Sequence, residues 1–216
     1  MKQIFLTIVT IFLISLTSSI FGQEIELTGN FASSSSKRFN NSFGYTLGYN
    51  QIVKTKNKLG ISFSQYSYCA TYDNIYHPEY DPSSLSITET DANNKRFALK
   101  LNYAFRLVNN PKSKLYLGPE IGLNYFKIKE STERIGNGQI ESGTFIDDYW
   151  VNNKLGIGFI LEIQLDEVIS KRVSTVFSLN PEITGFEEFG TMGSADPWFI
   201  GWVNFKLGIR YKLKNE

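Results

Sequence analysis

The chain has one histidine with which to do chemistry, His77, in Tyr76-His77-Pro78-Glu79-Tyr80. Asp81, Ser83 and Ser84 follow closely, so a nucleophile, a base and an orienting carboxylate can be written down from one short stretch. Their spacing matches no nucleophile motif, and these residue types are ordinary in polar connections. A solvated loop histidine accounts for the stretch without further assumption. A histidine-based metal site would need a second imidazole, which the sequence lacks. Cys69 is the only cysteine, so no internal disulfide can form, and it reads as a small packing residue. The sequence implies no catalytic residue, no bound cofactor and no metal centre.

Two other groupings invite a binding role. Acids recur in the polar stretches: Asp73, Glu79, Asp81, Glu89 and Asp91, then Glu133, Glu141, Asp147 and Asp148, then Glu187, Glu188 and Asp196. Calcium takes several carboxylate oxygens, yet none of these runs has the ordered ligand spacing of a calcium loop. A soluble, charged crown is the plainer reading. Tyr66, Tyr68, Tyr72, Tyr76 and Tyr80 could form a recognition surface, since tyrosine suits contact patches. Equally, the strands carrying them could run on as a sheet.

The elements that must position these residues are strands. In Trp198–Leu213, the positions Phe199, Gly201, Val203, Phe205, Leu207, Ile209, Tyr211 and Leu213 fall on one face. Asn204, Lys206, Gly208, Arg210 and Lys212 fall on the other. The run is longer than a usual strand of about 5–6 residues and fits one that crosses an apolar layer, which needs roughly 9–11. The same parity recurs in Ile25–Phe31, Phe43–Tyr49, Leu59–Phe63, Phe97–Leu107, Leu115–Tyr125, Leu155–Leu165 and Val173–Ile183. That makes eight strands. A bulge is expected near Gln65–Tyr68, where alternation fails, and another at Pro119, which cannot donate to a ladder.

Connections alternate in length. Lys54–Asn57, Asn109–Lys112 and Asp166–Ser170 are short, whereas Ser33–Asn41, Asp73–Asn94, Ser131–Asp148 and Glu187–Pro197 are long and polar. Short turns on one side of a membrane and long loops on the other is the layout of a transmembrane barrel with both termini periplasmic. Outward aromatics fall at two levels: Phe31, Phe43, Tyr125, Tyr149 and Phe199 near the outer ends, and Tyr49, Phe105 and Tyr211 near the inner ends.

The first residues add an export signal. Lys2 precedes the apolar run Ile4–Ile14, and Ser15, Thr17, Ser18 and Ser19 lead to Phe21-Gly22. Residues 1–22 therefore read as a signal peptide and 23–216 as one barrel domain. The apolar run is short for a spanning helix. A net charge of +1 gives no basic surface for nucleic acid. Mean hydropathy of −0.19 is compatible with a membrane barrel, whose strands are only half apolar.

Together these features resemble the small outer-membrane β-barrel proteins, the OmpA/OmpX-like and PorT-like barrels. The ending Lys206, Gly208, Tyr211, Leu213 resembles their C-terminal assembly signal. The resemblance implies an all-β, eight-stranded antiparallel up-and-down transmembrane barrel, integral in the outer membrane and contacting its lipids. It also implies insertion by the barrel-assembly machinery, but no single activity. A non-enzymatic role in surface interaction or envelope structure is expected, with an extracellular ligand engaged through the long loops. Carriage of small hydrophobic molecules through the barrel wall comes second and a lipid-modifying enzyme third.

The inward parity carries Glu26, Lys100, Arg106, Glu120, Glu162, Glu182, Lys206 and Arg210, with acids and bases in equal number. A buried charge without a partner costs several kcal/mol, so these groups are expected to pair and plug the lumen, with Glu26–Arg210 as the leading pair.

Overall fold

The computed structural model describes residues 22–39, 41–53, 56–76, 86–136, 139–185 and 199–213. Eight strands run in chain order: β1 (Gln23–Ser34), β2 (Ser42–Val53), β3 (Asn57–Tyr76), β4 (Ser86–Asn110), β5 (Ser113–Gly136), β6 (Gln139–Ser170), β7 (Val173–Gly185) and β8 (Phe199–Lys212). Each pairs antiparallel with the next, and β8 returns to β1, which closes the barrel. A 3-10 turn, Lys37–Phe39, lies between β1 and β2. His77, Asp81, Ser83 and residues 1–21 of the expected signal peptide lie outside the described residues.

The alternation places an apolar belt on the outside. Leu27, Leu47, Leu99, Ile121, Ile157, Phe177, Phe205 and Leu207 are all exposed there. Their inward neighbours Thr28, Thr46, Lys100, Glu120, Ser178 and Lys206 are buried. The barrel is therefore inside out relative to a water-soluble one.

Toward the end at which β3–β6 outrun the other strands this polarity reverses. Ala32, Tyr66, Tyr68, Phe126, Ile128, Ile200 and Trp202 point inward and form an apolar cluster closed by Phe39. The expected bulge at Gln65–Tyr68 is absent, because β3 keeps one register with β2 and β4 throughout that stretch. Alternation fails there because beyond the belt the outside is polar and the inside is a closed core. Tyr66 and Tyr68 are consequently core residues rather than a contact surface.

Other expectations about connections need correction. The stretches 73–94 and 131–148 are mostly strand, since β3 runs to Tyr76, β4 starts at Ser86, β5 runs to Gly136 and β6 starts at Gln139. Asp166–Ser170 belongs to an irregular end of β6, with Glu167 at φ 60°, and the turn falls at Lys171-Arg172. Pro119 interrupts pairing with β4 without changing the register; the slip in that ladder lies at Arg106–Val108. An unforeseen bulge between Val151 and Lys154 inserts one residue into β6. It turns Trp150 outward and lets Tyr149 pack on the inner cluster, so Trp150 takes the outward place expected of Tyr149.

Candidate functional site

The barrel interior is built around two charged networks. The first centres on Arg210 of β8. Register sets Arg210 opposite Glu26 on β1, and their side chains form an ion pair. The guanidinium also meets Glu162 of β6 at 2.8 Å and 2.9 Å and Glu24 at 3.5 Å, and it donates to Gln164 Oε1 at 2.7 Å. Lys58 of β3 pairs with the same Glu162 and lies 4.8 Å above the Tyr116 ring. Asn50 donates to Glu26 at 3.1 Å. At the rim, Lys114 and Lys212 both reach Asp166, at 3.1 Å and 3.2 Å.

The second network centres on Glu182 of β7. It accepts from Arg96 of β4 at 2.5 Å and from Lys100 at 2.6 Å. Lys100 also meets Glu120 at 2.8 Å, and Asn180 donates to the other oxygen of Glu120 at 3.2 Å. Asn124 bridges the set, accepting from Arg96 at 2.8 Å and donating to Glu182 at 3.0 Å. Shared hydrogen bonds of this kind offset the cost of taking charges out of water. Chemically the arrangement can cross-link all eight strands and exclude solvent from the bore.

Six of the eight interior charges read from the sequence thus fall into these networks: Glu26, Glu162 and Arg210 in one, Lys100, Glu120 and Glu182 in the other. Lys206 is buried opposite Asn30 and Ser178, an electrostatic neighbour of Glu26. Arg106 is only half buried, at the slip in the β4–β5 ladder. Glu24, Lys58, Arg96, Lys114 and Asp166 are interior residues that sequence reasoning missed. Each flanks the first or last apolar residue of an alternating run, and extending the parity by one position would have found them.

Of the C-terminal residues, Gly208 lies against β1 so closely that a Cβ would fall 2.1 Å from the Leu27 carbonyl oxygen. Tyr211 and Leu213 are exposed, and the Leu213 amide donates to the Gln23 carbonyl at 2.7 Å. The acids do not converge. Asp73, Glu89 and Glu133 stand in one cross-strand row, exposed, but among the described residues no three metal-ligating side chains come together.

On the outer wall a groove of about 620 Å³ runs past Gly29, Phe31, Phe43, Phe177, Phe205 and Leu207. The β1–β8 ladder beneath it is continuously paired, Gly29 with Leu207 and Phe31 with Phe205, so the groove does not open into the lumen.

Four strands outrun the others. Beyond the Ser42–Tyr68 pair, β3 has no partner on the β2 side among the described residues, and β6 has none on the β7 side before Gly156. A β3–β6 sheet therefore projects from one side of the barrel. The edges left without a strand partner among the described residues are Cys69–Tyr76 on β3 and the part of β6 before Lys154. Ile146 and Trp150 are exposed on the second edge.

No protein-family description matches the sequence, and no curated protein matches it. Solved structures do. Neisserial surface protein A aligns over 88% of this chain and 97% of its own, at 12% identity and a TM-score of 0.56. The Yersinia pestis attachment invasion locus protein Ail, solved with the heparin analogue sucrose octasulfate, aligns over 90% and 100% at 14% identity and a TM-score of 0.48. The N-terminal barrel of Pseudomonas aeruginosa OprF covers 88% and 99% at 13% identity and a TM-score of 0.44. At such identities the likeness is one of fold, and the first match carries it. The fold is that of the small eight-stranded outer-membrane β-barrels.

Proposed function

We propose that the chain is exported by residues 1–22 and inserted into the outer membrane by the barrel-assembly machinery, and that it serves there as a non-enzymatic surface-interaction protein. Both termini face the periplasm in this reading, and the projecting β3–β6 sheet meets the partner. The observation that carries it is the pair of long edges on that sheet that have no strand partner among the described residues. A free edge offers a row of backbone donors and acceptors to an extended segment, while side chains beside it set preference. Ile146 and Trp150 favour apolar side chains, and the exposed Asp147 favours basic ones, whereas Asp148 is already paired with Lys127. The charge-filled interior and the closed wall beneath the outer groove favour this reading over carriage through the barrel.

The test uses the mature protein folded in detergent micelles on an array of extended peptides. Apolar-basic peptides should be retained, and Ile146→Lys with Trp150→Lys should abolish retention while the barrel stays heat-modifiable on gels. Equal retention by the double variant would reject the edge as the contact surface.

A further inference from the structure

At the outer mouth a side chain from a connection fills a box made by the strands. Phe39 is fully buried, its ring centroid 5.3 Å from Tyr68, 5.3 Å from Phe126 and 5.6 Å from Trp202. The three walls belong to β3, β5 and β8 and are fixed by the ladder. Phe39 comes from a single 3-10 turn. Ser34 Oγ donates to the carbonyls of Ser36 and Phe39, Asn94 donates to the Arg38 carbonyl, and Arg38 meets Glu130 at 2.9 Å. The turn ends near Asn41, whose φ of 48° is left-handed, a conformation asparagine accepts.

Arg96 lies in the same cross-strand row as Tyr66 and Phe126. Its guanidinium stacks 4.3 Å from the Trp202 ring and 5.5 Å from Tyr66. Nη2 and Nε are engaged by Glu182 and Asn124, but Nη1 has no hydrogen-bond partner among the described residues. Neither does Trp202 Nε1 nor Tyr66 Oη. All three side chains are at least 98% buried. Buried polar groups without partners are rare, and here all three can donate. An aromatic box alone would also suit a cation. A guanidinium stacked on one of its walls disfavours one and favours an anion.

We propose that this mouth is a binding site for an aromatic carboxylate, occluded at rest by Phe39. The ligand ring replaces the Phe39 ring between Tyr68, Phe126 and Trp202, and its carboxylate accepts from Arg96 Nη1. The 3-10 turn swings outward to admit it. The site is independent of the free edges of the sheet, so it stands or falls separately from them.

The mature protein in detergent micelles is titrated calorimetrically with 3-phenylpropionate and with the neutral 3-phenylpropan-1-ol, as wild type and as Phe39→Ala. Removing the internal occupant should raise carboxylate affinity about tenfold or more, because the competent state no longer has to be opened. In Phe39→Ala the acid should bind about tenfold or more tighter than the alcohol, as a charge-assisted hydrogen bond requires. Equal binding of acid and alcohol would mean a plain apolar cavity, and equal affinity in wild type and variant would mean that Phe39 is not the occupant; either result overturns the proposal. Should the variant fail to form a barrel, the wild-type Trp202 indole N–H resonance decides. A shift with acid but not alcohol supports the site, and no shift at saturating acid overturns it.

Discussion

Glu26 and Arg210 face each other across the seam where the first strand meets the last, and their ion pair ties the chain's two ends together inside the barrel. The same guanidinium holds Glu24 and Glu162, so it compensates three carboxylates at once. Arg210→Met should therefore be far more harmful than removal of any one acid. A loss of about 3–5 kcal/mol is expected, the cost of stranding buried charge. Glu26→Gln keeps a hydrogen-bonding group opposite Arg210 and should cost about 1–3 kcal/mol. Glu133→Gln, exposed on the projecting sheet, should change stability by no more than about 0.5 kcal/mol. Urea unfolding midpoints in micelles provide the comparison, and equal shifts for Glu26→Gln and Glu133→Gln would show the inner charges to be solvated.

The two networks also bear on conduction. Side chains from all eight strands meet across the bore, and the mouth on the side of the projecting sheet is closed by Phe39, Phe126 and Trp202. Planar bilayers carrying the wild type should be nearly silent. A large, steady conductance would mean that water threads the networks and that the pairs are looser than their geometry.

Much of this interior was legible from parity alone, because within the belt lipid-facing and lumen-facing positions must differ in polarity. Eight strands, their order and the Glu26–Arg210 pairing follow from that rule. What escaped it lies where the environment changes. Tyr66, Tyr68, Phe126 and Ile128 stand on the parity that carries charge lower down, because past the belt the interior is the dry side. The bulge between Val151 and Lys154 has no compositional mark, since one extra residue reverses facing without changing residue type. Lys58 and Arg96 sit one position before the first apolar residue that marks each run, and so fall just outside its visible bounds.

The C-terminal residues should separate when tested singly. Gly208→Asp would push a side chain into the β1 backbone, with the Leu27 carbonyl oxygen only 2.1 Å from the new Cβ, so it should lower folded yield for steric reasons alone. Tyr211 is exposed and its hydroxyl accepts a hydrogen bond of 3.5 Å from Arg172. Loss of membrane insertion in Tyr211→Ala, with normal refolding in micelles, is the outcome expected if the ending is read by the assembly machinery. Normal insertion would make the motif match accidental.

Cys69 offers a topology test that needs no engineering. It is the only thiol, it is exposed, and it lies on β3 just past the last residue paired with β2. With the projecting sheet outside the cell, a membrane-impermeant maleimide should label it on intact cells. Labelling only after the outer membrane is opened would reverse the assigned orientation.

The belt gives the sharpest test of the membrane reading, because adjacent residues on one strand should respond oppositely to the same charge. Leu207 faces outward and is 54% exposed, whereas Lys206 points inward and is 5% exposed. In water, Leu207→Arg would be close to neutral, since an exposed apolar residue would simply become an exposed polar one. In a bilayer it should cost about 2–4 kcal/mol near the midplane, falling off toward either interface. Lys206→Arg keeps the inward charge opposite Asn30 and Ser178 and should cost much less in either setting. Stability measured in lipid vesicles therefore separates the two pictures: a large penalty confined to Leu207→Arg places this face against hydrocarbon, and matching small effects would mean that the belt is not a lipid-facing surface.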